Sequence, residues 1–208
     1  MAKVLALYAG RAGTIATAMG LVPSAIAKSP VGGRVRAGAH GLPGDEQVYH
    51  SHGGPDRALC VYPREHYGQW SATVDPAFGE NITSEGVLEE STLIGEVWRI
   101  GTAVVQVSQP RSPCAKVAAR LGVPDLVMRA RRARMTGLHL RVLEPGELAA
   151  GDAIERLERP THGVTVADAV GARFDPAPDR ALVTALLALP ALAEEWRVKT
   201  APRLARAA

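Results

Sequence analysis

Six short runs of branched and aromatic residues (VLALY, GRVRAG, RALCVYP, EVWRI, TAVVQVSQ and LHLRVLEP) are separated by glycine- and proline-rich connections, with no regular alternation with helices. That pattern constrains the chain more than any other feature, because many short strands without β-α alternation form a barrel or a folded sheet, not a doubly wound one. Helical spacing interrupts it at about residues 64–73, 113–121 and 125–134. Near Arg159-Pro160 the character changes. TVADAVGARF, DRALVTALLAL and ALAEEWRVK are Ala/Leu-rich with apolar residues at helical spacing, Asp179 is placed to cap the second, and Pro190 separates the second from the third. The expected organisation is a mainly β domain over residues 1–160 and three short helices over 161–208. Such helices bury little surface alone, so they should dock on the barrel or on another subunit, as an appendage without chemistry of its own.

The 208 residues carry 22% charged and 47% hydrophobic side chains, an ordinary globular mixture that argues against wholesale disorder. Cys60 and Cys114 are the two cysteines; they make no disulfide framework and suit a reducing, cytoplasmic setting. A formal charge of +3 gives no case for a nucleic-acid polymer. The longest uncharged stretch, residues 12–27, contains Pro23 and is shorter than the ~20 apolar residues a spanning helix requires.

Gln109-Pro110-Arg111-Ser112-Pro113-Cys114 follows a strand and precedes the helical run CAKVAARLG. Ser112 is a good N-cap and Pro113 a good first helical residue, which would put Cys114 in the first turn between Arg111 and Lys116. Unpaired backbone N–H groups and two cations there would favour thiolate, the form that binds soft metals. The bland alternative is a small buried hydrophobe. Cys60, in an alternating strand, reads as core.

Other candidates carry weaker signals. His50-Ser51-His52-Gly53-Gly54 suggests a metal site or a loop approaching a ligand, with Gly53 and Gly54 forming a tight turn. In Phe78-Gly79-Glu80-Asn81, the Asn81 amide could bind a heterocycle edge and Glu80 could handle a proton, but taken alone the segment reads better as a plain turn with a local Asx bond. Arg129, Arg131, Arg132 and Arg134 form a basic stretch whose default is a solvated face, but guanidinium groups also match phosphate.

Taken together, GLPGDEQ, HGGPDRALCVYPREHYGQW, FGENIT, IGEVWRIG and VSQPRSPC resemble the MOSC domain family, the domain also found at the C-terminus of molybdenum cofactor sulfurases, and within it the bacterial YiiM branch. The likeness runs from Lys3 to about Pro160, and the trailing helices resemble that branch's three-helix domain. The resemblance implies a MOSC-type β-barrel, a molybdenum-pterin cofactor, and Cys114 as both catalytic residue and metal ligand. It implies reduction of N-hydroxylated compounds such as hydroxylaminopurine. Cofactor binding would fall to His52, Gly53, Gly54, Arg57, Glu80, Asn81, Arg111 and Ser112. The chain lacks the GxGxxG nucleotide fingerprint, so electrons would come from a separate electron-donor protein. A homodimer is compatible with this reading, and no membrane is required. Against the family pattern, the loop Asp45-Glu46-Gln47-Val48-Tyr49-His50-Ser51 is one residue short and lacks a second acid before His52. Two rivals use the same cysteine: a persulfide carrier, and a non-catalytic cofactor-binding protein.

Overall fold

The computed structural model describes residues 1–49 and 53–207. The apolar runs become strands β1 (Lys3–Ala9), β5 (Val35–Ala37), β6 (Leu59–Pro63), β8 (Val97–Ile100), β9 (Ala103–Pro110) and β10 (Leu138–Glu144). Six shorter or less apolar strands join them: β2 (Gly13–Thr17), β3 (Gly20–Ser24), β4 (Ser29–Pro30), β7 (Ile82–Glu85), β11 (Gly146–Leu148) and β12 (Ile154–Glu158). The main sheet has eight strands in the order β12-β8-β9-β10-β6-β7-β1-β4, antiparallel except for the β6–β7 pair. It curls until its two sides meet. Val4 N–H donates to the Asp152 carbonyl and Ile154 N–H to the Ala2 carbonyl, joining β1 to the start of β12. The expected barrel is therefore present.

Side-chain alternation sorts the sheet into two faces. Leu59 and Val61 of β6, Val105 and Val107 of β9, and Leu138 and Leu140 of β10 share the main core with Trp98. Cys60 and His139, between them in sequence, project to the opposite face. That face is covered by helices α1 (Ala115–Leu121) and α2 (Leu126–Arg132) and by a tight 3₁₀ segment, Arg64–Trp70, where an α-helix was expected. A second core lies beneath this cover, with Tyr62 and Phe78 stacked at 3.8 Å between ring centroids.

The three C-terminal helices are α3 (Val166–Phe174), α4 (Arg180–Leu187) and α5 (Glu194–Thr200). Thr165 and Asp168 form a reciprocal capping box on α3, and Asp179 caps α4 by accepting from the Ala181 and Leu182 N–H groups, as its position in the sequence suggested. Val166, Val183, Leu186 and Trp196 belong to the main core, so these helices share the barrel's hydrophobic interior instead of enclosing one of their own. No helix among the described residues is long and apolar enough to cross a membrane.

Candidate functional site

A cavity of about 550 Å³ lies between the outward face of the sheet and the helices. Its floor is a row across three neighbouring strands. His139 of β10 pairs in register with Cys60 of β6 on one side and with Gln109 of β9 on the other, and all three line the cavity. Cys60 is thus a wall of the site as well as a buried residue. Burial pushes its thiol pKa up, while the Arg111 guanidinium works the other way. Desolvation, reinforced by Arg57 and Arg111, holds His139 well below the ordinary imidazole value of 6.5, so its ring is neutral.

Cys114 lies on the wall at the start of α1. The expected cap is displaced by two residues. Cys114 keeps an extended backbone (φ −121°, ψ 171°), so the helix begins at Ala115 with Cys114 itself as N-cap. Ser112 still lines the cavity. The two flanking cations do not act as the sequence suggested. Arg111 donates to the Phe78 carbonyl and lies 5.5 Å from that ring, while Lys116 donates to the Pro23 carbonyl at 2.6 Å.

One rim of the cavity is cationic. Arg57 pairs with Glu195 of α5, which also binds Lys199, and all three line the cavity. Arg131 and Arg173 have no carboxylate partner in an ion pair among the described residues. They lie instead over the Phe174 ring at 4.1 Å and the Trp196 ring at 4.4 Å. Desolvation pulls the pKa of both below the usual arginine range, and for Arg173 the neighbouring Arg131 charge adds to it. Two guanidinium groups without a salt-bridge partner in one wall would suit an anion, although the Glu195 carboxylate also acts on Arg173.

Lys28 and Asp45, also in the lining, form a nearly buried pair at 2.5 Å. Asp45 also accepts from Gly10 N–H at 3.0 Å and from the Asn81 amide at 2.8 Å. The Asn81 carbonyl oxygen accepts from Cys60 N–H. Asn81 therefore lines the cavity mainly as a brace between strand β6 and the Asp45 loop. Glu46, whose carboxylate accepts from Ala12 N–H at 2.9 Å, lines the cavity as well, so both acids of this loop reach the site.

Several expected residues lie elsewhere. Glu80 has no exposed surface and does not line the cavity. Its carboxylate accepts from Phe78 N–H at 2.9 Å, from Thr83 Oγ1 at 3.0 Å and from the Tyr67 hydroxyl, so it ties the turn and is not available to a ligand. Gly53 and Gly54 are also absent from the lining. Gly53 abuts the Gln47 side chain, which does line the cavity, and Gly54 takes a left-handed φ of 101° just before the 3₁₀ turn Pro55–Arg57. They shape the loop from behind. The expectations for His50 and His52 fall outside the described residues. Of the four-arginine stretch only Arg131 lines the cavity; Arg129 pairs with Asp125 and Arg134 with Asp175.

The C-terminal helices correct another expectation. They are no inert appendage, since Arg173, Glu195, Trp196 and Lys199 complete the cavity wall. Sequence reading missed them, together with Lys28 and His139, because their partners are distant in the chain. His139 did carry a local signal: an imidazole between two core leucines must face away from that core.

Burial raises the Glu80 carboxyl pKa above its ordinary 4.5. A raised carboxyl makes the folded state bind more protons than the unfolded one, so its contribution is fully present below about pH 4.5 and declines as pH rises through the folded value. Glu80→Gln should flatten that decline. Urea unfolding at several pH values checks it: the stability difference between wild type and variant should move against the wild type with rising pH, and a constant difference would refute the assignment.

Among the described residues, ten side-chain polar atoms are sealed from water without a hydrogen-bond partner, and five of them belong to cavity-lining residues: Gln109 Oε1, Arg111 Nη1, Arg131 Nε, His139 Nδ1 and Trp196 Nε1. Each such atom costs roughly 1–3 kcal/mol. Half of these atoms thus belong to side chains around this one cavity.

Comparison with known proteins agrees with this architecture. Residues 48–155 match the family described as MOSC domain, and residues 164–207 match the YiiM-like, 3-alpha helix domain. Protein YiiM of Escherichia coli is 38% identical over 84% of this chain and 81% of its own length. A protein named reductase from Gibberella moniliformis is 37% identical over 68% of this chain, which spans only 27% of that longer protein. The crystal structure of YiiM from Geobacillus stearothermophilus superposes with a TM-score of 0.82 at 31% identity, covering 98% of this chain and all of the other.

Proposed function

This chain belongs to the MOSC domain family, whose members are associated with molybdenum cofactor binding, and from that membership we propose that it reduces N-hydroxylated compounds with a molybdenum-pterin cofactor held through Cys114. The observation that supports this reading most directly is the meeting, in one cavity, of the Cys114 thiol with Arg131 and Arg173, neither of which forms a salt bridge among the described residues. The donor set fits the group. A thiolate is a soft ligand suited to such a metal, guanidinium groups suit a phosphate, and the partnerless amide, indole and imidazole atoms suit a polar heterocycle. Cys114 and Ser112 would hold the cofactor at the α1 end, with Arg111, Arg131 and Arg173 towards its anionic end. Arg57 would act through its pair with Glu195, which fixes α5 against the barrel.

Bound there, the cofactor would supply a two-electron reduction of the N–O bond. The balanced reaction takes R–NH–OH, two electrons and two protons to R–NH₂ and water. A separate electron-donor protein provides the electrons. The surrounding protein orients the substrate, excludes bulk water and keeps the thiol of Cys60 and the ring of His139 uncharged beneath it.

The deciding experiment is metal analysis of freshly isolated protein from a host that makes the cofactor, followed by reduction of benzamidoxime with a chemical electron donor. About one molybdenum per chain and turnover to benzamidine are expected. Metal-free protein carrying a reducible mass increment of one sulfur would favour the persulfide carrier, and bound cofactor without turnover would favour the binding module.

A further inference from the structure

Positive charge is concentrated at the cavity. Its lining carries seven lysine and arginine side chains against three carboxylates, while the whole chain has a formal charge of only +3. Everything outside the lining is therefore slightly acidic in sum. A phosphate monoester in the cavity would offset about two of the surplus charges, so the surplus outlasts it. The cavity is open beside Cys114: Ser112 and Ala115, close to it in sequence, are exposed, as are the lining residues Glu46, Gln47 and Lys199.

Two helices carry this cationic character outward. On α2, Val127 and Arg131 line the cavity one turn apart, and the next stripe of the helix, Met128 and Arg132, is exposed to solvent. On α5, Glu195 and Lys199 line the cavity and Val198 stands exposed beside them. Met128 is 55% exposed and Val198 61%. Arg132 makes no ion pair among the described residues. An exposed apolar side chain on each helix, set in a basic surround, suits another protein better than a small anion, which needs the guanidinium groups alone. A single-stranded nucleic acid would ask for stacking rings, and the exposed side chains of α2 and α5 include none.

We propose that the stripe of Met128 and Arg132 on α2, with Val198 on α5, is the docking surface for an acidic one-electron carrier protein. Its negative surface complements the basic surround, and covering the opening beside Cys114 brings its redox centre close to the site of reduction. Two carriers, each oxidised by one electron, supply the two electrons of the N–O cleavage. The inference rests on the reductase reading for the use of those electrons, but not for the docking.

The probes are two small acidic carriers, a plant-type ferredoxin and a flavodoxin, titrated by calorimetry into the full-length, molybdenum-loaded protein. At least one should bind, several-fold more weakly at about 300 mM than at about 50 mM salt. The double variant Met128→Glu/Arg132→Glu and the single variant Val198→Glu should each weaken binding about tenfold or more, while Arg132→Lys retains it. These residues lie outside the cavity lining, so the melting temperature and the turnover of benzamidoxime with reduced methyl viologen should stay at the wild-type level. With the reduced carrier as donor, its KM should rise in the two glutamate variants. No binding of either carrier, binding indifferent to the glutamate substitutions, or duplex DNA binding at the same salt in place of the carriers would each overturn the proposal. Viologen-driven turnover without carrier binding would remove the docking surface and leave the reductase reading intact. Carrier binding that the glutamate variants abolish, in protein that never turns over, would sink the reductase reading and leave the docking surface standing.

Discussion

Cys114→Ser is expected to empty the cavity of molybdenum and abolish turnover while leaving the protein as stable as before, or more so. A serine hydroxyl stays protonated near neutral pH and is a hard ligand, so retention of the metal should fall by at least ~100-fold. The stability half of the prediction comes from the helix start. Cys114 occupies the N-cap of α1 with an extended backbone and makes no side-chain capping bond. Serine is among the preferred residues at that position, where its oxygen accepts from an unpaired N–H of the first turn, a gain of up to about 1 kcal/mol. For a chain of this size that corresponds to a rise in melting temperature of roughly 2–4 °C. Metal content and thermal unfolding of the same preparation therefore separate lost ligation from lost fold. Molybdenum retained at the wild-type level in Cys114→Ser would remove the cysteine from its assigned role.

For Asp45→Ala the expected result is a loss of about 3–5 kcal/mol, because the substitution leaves Lys28 as an uncompensated, nearly buried charge. The side chains of Lys28 and Asp45 are only 8% and 5% exposed, and the carboxylate oxygens lie 2.5 and 2.6 Å from the ammonium nitrogen. Two further donors, Gly10 N–H and the Asn81 amide, lose their acceptor at the same time. At roughly 2–4 °C per kcal/mol, the melting temperature should drop by about 6–20 °C. The double variant Lys28→Met/Asp45→Leu removes both charges at once and should recover more than half of the loss, since well-packed apolar replacements of buried ion pairs are often neutral or better. A single variant within about 1 kcal/mol of wild type would show that the pair is exchanging with water and does not brace the loop.

The strand-rich first part and the helical tail were legible in the chain because each rests on local periodicity. LHLRVLEP and TAVVQVSQ became β10 and β9, and the three C-terminal runs became α3, α4 and α5 with Asp179 capping as its position suggested. Hairpin β2–β3 and strands β11 and β12 escaped notice because their residues are largely polar or small, so partner strands and not side-chain alternation define them. The cap at Ser112 was misplaced by two residues because a sequence shows which residues favour a cap, while the backbone φ and ψ of Cys114 decide where the helix begins.

Within the site the same division holds. The segment from Gln109 to Cys114 announced itself, since a thiol between a strand and a helix is a local arrangement. Glu80 looked equally available in sequence, and only burial showed that its carboxylate closes a turn. Cys60 looked like core because its neighbours are core, and only the location of the cavity gave its own face a meaning. Arg173, Glu195 and Trp196 lie more than fifty residues from the Cys114 segment, and nothing in their local sequence distinguishes them from an ordinary helix surface. Local propensity and alternation are short-range properties of the chain, and they fixed the more apolar strands, the helices and the place of the Cys114 thiol between strand and helix. The cavity is made by contacts between segments far apart in sequence, so its charge, its floor of Cys60, His139 and Gln109 and the part played by the C-terminal helices were decided by packing alone.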